Sequence, residues 1–93
     1  MIERKISVSS VANGKILDVL SSMPDGFADI AFCDPPKDAM ENGLEFFDDF
    51  TSSWLRGCQR LIKPNGTIWI LARQPDIYRI GALMQNLGFW ILN

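Results

Sequence analysis

Histidine is absent from this chain, and cysteine occurs only as Cys33 and Cys58. Without histidine no Ser-His-Asp or Cys-His triad can form, and two cysteines in separate segments supply neither a zinc site of the usual ligand count nor a disulfide framework. No metal ligand set is therefore expected. Both cysteines lie in apolar runs, which reads as two small buried hydrophobes in a reducing compartment. An excess of charge is also missing: nine Lys and Arg stand against eleven Asp and Glu, for a formal net charge of −2. The bases are scattered from Arg4 to Arg79, so no basic patch grips a phosphate backbone, and any nucleic-acid affinity comes mostly from elsewhere. No apolar run approaches the roughly 20 residues of a membrane span, and no secretory or lipidation signal is visible. The expectation is a soluble, cytoplasmic protein with no membrane partner.

What is present is a globular composition, with 47% of residues hydrophobic and 11% aromatic. Ninety-three residues make a single small domain or a piece of a larger one, with room for one modest core. Lys5 to Val11 alternates apolar and polar positions, which predicts a half-exposed strand closed by Asn13-Gly14. Ile16, Leu17, Val19, Leu20 and Met23 recur at helical spacing, and Pro24-Asp25-Gly26 stops that helix. Ala28 to Cys33 is short and apolar apart from Asp29, as a strand covered on both faces would be. Lys37 to Gly43 reads as a loop. From Leu44 to Ile62, Phe47, Phe50, Trp54, Cys58 and Leu61 form one apolar helical stripe, with Asp48, Asp49, Arg56 and Arg60 elsewhere on the helix. Lys63-Pro64-Asn65-Gly66 is a turn and Thr67 to Leu71 a second buried strand. A further helix, Pro75 to Leu87, is capped by Gly88, and Phe89 to Leu92 begins another strand. Such alternation predicts an open, mostly parallel sheet with helices on its faces.

The stretch Ala28-Asp29-Ile30-Ala31-Phe32-Cys33-Asp34-Pro35-Pro36-Lys37 ends the most apolar strand on an acid and two prolines. In open parallel sheets ligands sit outside the carboxyl ends of the strands, where Asp34 falls. Two prolines fix two φ angles and remove two backbone donors, leaving a rigid row of acceptors: the Asp34 carboxylate and the neighbouring carbonyls. Such a row suits a ligand presenting an NH2 group. Holding both amine hydrogens turns the nitrogen lone pair toward an electrophile by positioning and electrostatics alone. The plain alternative is a strand-ending loop with a surface acid. Trp54 and Trp69 read as core residues, Arg73 as a base facing a phosphate or solvated on a loop, and Asp48-Asp49 as an exposed helix face, not a metal pair.

The ordered segments "NGKILDVLSSMPDGFADIAFCDPPK", "WLRGCQRLIKPNGTIWIL" and "DIYRIGALMQNLGFWILN" resemble the amino-methylating DNA methyltransferases of bacteria and phages, which carry an Asp-Pro-Pro-Tyr motif. The resemblance runs from about Asn13 to Asn93, in order and with matching spacing. It implies a three-layer, Rossmann-like α/β methyltransferase fold, S-adenosyl-L-methionine as methyl donor, and DNA as partner. The acceptor would be N6 of adenine or N4 of cytosine in a flipped-out base. Asp34 would accept from the amine, the Pro35 carbonyl would be the second acceptor, Pro36 would fix the turn, and Lys37 stands where the family has an aromatic that stacks on the base. Lys15 stands where the family usually has an Asp near the donor, and no Phe-x-Gly-x-Gly occurs. Residues 1–93 are thus expected to be a single partial catalytic domain, truncated of its target-recognition segment and glycine-rich cofactor loop, with little activity alone. No cofactor-binding residue is assigned. Two other readings stay open: a non-catalytic remnant that associates with itself or with the missing half, and a chain that binds the donor without acting on DNA.

Overall fold

The computed structural model describes residues 12–37 and 39–92. Its elements are helix α1 (Ile16–Ser21), strand β1 (Ala28–Cys33), a 3-10 turn (Ala39–Asn42), helix α2 (Leu44–Leu61), strand β2 (Ile62–Ile70) and helix α3 (Asp76–Asn86). The expected strand at Lys5 to Val11 lies outside the described residues. β1 and β2 are parallel neighbours, in register from Ile30 opposite Thr67 to Cys33 opposite Ile70, with α2 as the crossover between them.

Helix α2 forms because its apolar residues fall on one stripe: Phe47, Trp54, Leu55, Cys58 and Leu61 are all buried, with acids early and bases late to suit the helix dipole. Ile80 and Leu83 of α3 and Leu20 of α1 complete the core. Leu55 and Ile80 are almost wholly enclosed, each contributing on the order of 1.5–3 kcal/mol of burial. Helix α1 is short, and its C-terminal carbonyls accept from the Ser22 and Met23 amides. Arg60 of α2 adds to this cap, donating to the carbonyls of Leu20 at 2.5 Å and Met23 at 2.8 Å and pairing with Asp25 at 2.5 Å. In return, the amides of Gly26 and Phe27 donate to the carbonyls of Arg60 and Leu61, closing the end of α2. Asp48 of α2 pairs with Arg79 of α3, whose Nε lies 2.9 Å from Oδ1. Asp48 is therefore half-buried in an inter-helix ion pair, not part of an exposed face as its position suggested. Gly88, with φ +87°, stops α3 as expected.

Three features of the sheet differ from expectation. Lys63-Pro64-Asn65-Gly66 is not a turn ahead of the strand but a bulge within it: β2 advances five residues, Ile62 to Thr67, while β1 advances two, Ala28 to Ile30. The sheet has two strands among the described residues, since Phe89 to Leu92 pairs with neither. Among the described residues, neither strand is covered on both faces. Cys33, Ile68 and Ile70 pack on the helices, whereas Ile30, Phe32 and Trp69 are 63%, 68% and 59% exposed. The side chains alternate across the sheet, and only one helical layer exists among the described residues, so two layers are seen rather than three. Trp54 is core, and Trp69 is not. The segment read as a loop before α2 contains the 3-10 turn. No helix among the described residues is long and apolar enough to cross a membrane.

Candidate active site

β1 delivers its last residue, Cys33, to the carboxyl end of the sheet, where the Leu71 amide donates to the Cys33 carbonyl at 2.9 Å and extends the ladder by one bond. The chain leaves regular structure at Asp34. Asp34 is exposed, Pro35 half-buried, Pro36 and Lys37 exposed. The Asp34 carboxylate enters none of the ion pairs among the described residues, so its lone pairs are available to solvent or a ligand.

The segment after the prolines is anchored from the end of β2. Arg73 Nη2 donates to the Lys37 carbonyl at 2.7 Å while its Nε donates to Asp76 Oδ2 at 3.2 Å. Asp76 is buried, so a carboxylate fixed at the start of α3 aims a guanidinium at the backbone that follows Asp34-Pro35-Pro36. Arg73 is thus a solvated loop base, its side chain 55% exposed, that also holds the backbone after the prolines through Nε and Nη2. Sequence reasoning missed this role because residues 36 positions apart make the bond; only the i,i+3 spacing of Arg73 and Asp76 hinted at a pair.

Pro35, Pro36, Lys37, Ala72, Arg73 and Asp76 border a cavity of about 10 Å³, with Phe47 and Ile80 beneath. This holds about one water, far below the roughly 300 Å³ at which ligand pockets begin. Asp34 is not on its wall. The described residues at this corner therefore do not enclose a nucleoside-sized donor by themselves. A larger groove, about 730 Å³, lies between β2, α3 and residues 88–92 and includes none of residues 34–37. Lys15 is exposed and stands at the N-cap of α1, while Lys37 offers its carbonyl to Arg73 and leaves its side chain exposed.

Behind the corner, Cys33 Sγ lies 3.9 Å from Cys58 Sγ. The hydrogen bond between them, with burial and the neighbouring sulfur's charge adding to it, pushes the Cys33 thiol far above the ordinary range, while the same bond lowers Cys58 against its burial. Among the described residues no three His, Cys, Asp or Glu side chains gather as metal ligands.

What the corner can do chemically follows from these positions. The Asp34 carboxylate, in no ion pair among the described residues, and the adjacent carbonyl are acceptors carried on a backbone stiffened by two prolines and held by Arg73.

No family model matches the chain. Over 92% of its length it is 34% identical to the Type II methyltransferase M.HinfI of Haemophilus influenzae, and over 90% it is 27% identical to the Type II methyltransferase M2.MboI of Moraxella bovis. The matched parts make up 30% and 38% of those proteins, so the chain spans about a third of the length of the relatives it matches.

Proposed function

Because this chain is a relative of the type II DNA methyltransferases over nine-tenths of its length, we propose that it carries the amine-holding corner of a site-specific DNA methyltransferase acting on N6 of adenine. Asp34 and the Pro35 carbonyl accept the two hydrogens of the exocyclic amine of a flipped-out base, which turns the nitrogen lone pair out of conjugation. Pro36 and the Arg73 bond to Lys37 keep the acceptors from relaxing. Acceptors fixed before the reaction stabilise the positive charge that develops on nitrogen without reorganising, which is where such sites gain rate. S-adenosylmethionine supplies the methyl group. The target-recognition segment and the glycine-rich donor loop belong to the other two-thirds of such an enzyme, and the one-water cavity at the corner supports that division.

The observation that carries the reading is an exposed Asp34, followed by two prolines, at the carboxyl end of a parallel strand. The test is a graft in which residues 12–92 replace the matched segment of M.HinfI. With labelled S-adenosylmethionine and DNA, followed by nucleoside digestion, the label is expected in N6-methyladenine. Label in N4-methylcytosine would correct the base, and a folded graft that transfers no methyl group would overturn the proposal. The 93-residue chain alone is expected to give little or no transfer; robust transfer would refute its incompleteness.

The uncovered face of Ile30, Phe32 and Trp69 favours a second reading, a subunit-association module, since parallel sheets ordinarily have both faces covered. Sedimentation showing a monomer over a wide concentration range would end it.

A further inference from the structure

We propose that Cys33 and Cys58 are a dithiol that hydrogen peroxide converts to a reversible disulfide, a modification site tying the end of β1, one residue before Asp34, to helix α2. The inference goes beyond methyl transfer and stands whether or not that reading holds. Its basis is position. The two sulfurs are in contact at 3.9 Å, so closing to a bond requires an approach of about 1.9 Å. They sit on separate elements, 25 residues apart in the chain, so the fold and not local sequence brings them together. Cys33 is the last residue of β1, so the link would be anchored next to Asp34. Cys58 is buried, whereas Cys33 is only partly so, which opens the pair to an oxidant as small as peroxide.

The chemistry balances with that oxidant. The thiolate of one cysteine, with the S–H of the other beside it at 3.9 Å, attacks the O–O bond and becomes a sulfenic acid, with release of one water after protonation. The second cysteine then attacks the sulfenic sulfur, forming the S–S bond, losing its proton and expelling a second water. Both cysteines are oxidised and the peroxide is reduced. Zinc capture is a poorer use of the pair, because no third ligand gathers there among the described residues.

The test is peroxide treatment of the native protein, followed by unfolding, alkylation and mass spectrometry. The expected product has lost two hydrogens, resists alkylation, yields the tryptic peptide 57–60 joined to 16–37, and returns to the dithiol with dithiothreitol. Because the fold holds the sulfurs together, the native protein should form this link at least about tenfold faster than the urea-unfolded chain. Both cysteines still alkylated, oxygen addition in place of hydrogen loss, links only between chains, or equal native and unfolded rates would each overturn the proposal. Cys33→Ser should abolish the internal link; the wild-type rate comparison decides the matter if that variant does not fold.

Discussion

Gly66→Ala is expected to destabilise the protein, although replacing glycine outside a turn usually does the opposite. The new Cβ would lie 2.6 Å from the Asp29 carbonyl oxygen and 3.1 Å from that of Lys63, and closer still to Ile62 Cγ2. The Ile62 side chain can rotate away; the Asp29 carbonyl cannot, because it belongs to β1 where the bulge meets the strand. Restoring ordinary contact needs about 0.4–0.8 Å of backbone movement, and overpacking of that kind costs about 1–3 kcal/mol. Reduced freedom of the unfolded chain returns about 0.4–1 kcal/mol. The net expectation is a loss of about 0–2.6 kcal/mol, centred on about 1.3 kcal/mol, read as a urea midpoint lowered by about 0.4–1.3 M for a slope of about 1–3 kcal/mol/M. Gly81→Ala is the control: it lies inside α3 with nothing within 4 Å of the ideal Cβ, so it should stabilise by about 0.5–1 kcal/mol. A Gly66→Ala protein as stable as wild type, with Gly81→Ala behaving as described, would refute the bulge geometry.

Other outcomes follow from the same contacts. Leu55→Ala, at a fully enclosed position, should cost about 2–5 kcal/mol in chemical denaturation; a loss under about 1 kcal/mol would place it outside the core. The Arg79 guanidinium, chiefly through its hydrogen bond, holds the Asp48 carboxyl below the usual carboxylate range. The folded value is the lower one, so this stabilisation is present above about pH 4, where the unfolded carboxylate titrates, and is lost as pH falls below it. Stability measured against pH should fall more steeply on acidification in wild type than in Arg79→Met; parallel profiles would count against the pair. In the M.HinfI graft, Lys37→Tyr should lower KM for DNA about tenfold, within the 1–3 kcal/mol that stacking on a ring contributes, and an unchanged KM would show that position 37 does not meet the base.

Helices α2 and α3 were legible because each carries its apolar residues on one stripe, and the stop signal at Gly88 is chemical and local. β1 and β2 were legible as strands, yet their surroundings were not. In Ala28 to Cys33 the set Ala28, Ile30 and Phe32 is wholly apolar and the set Asp29, Ala31 and Cys33 is apolar apart from Asp29, which suggests two faces that resist water but not what covers them, and the described residues cover only the face of Cys33. The turn chemistry of Lys63-Pro64-Asn65-Gly66 was visible, whereas the pairing of Ile62 with Ala28 ahead of it, which makes the turn a bulge, depends on a partner strand. At the candidate site, Asp34 was found from its place at a strand end. The hold of Arg73 on the Lys37 carbonyl, the Arg60 cap on α1 and the meeting of Cys33 with Cys58 join positions 25 to 40 residues apart, and no local pattern encodes them.

The central claim is that Asp34 holds the reacting amine. Its most direct measurement is the single-turnover methylation rate of the graft carrying Asp34→Ala, with donor and DNA affinities measured alongside. The expected result is a rate lowered about 10²–10³-fold, as for loss of one fixed hydrogen-bonding group at a reacting atom, with DNA affinity changed far less. A variant that methylates at the parent rate would contradict the claim.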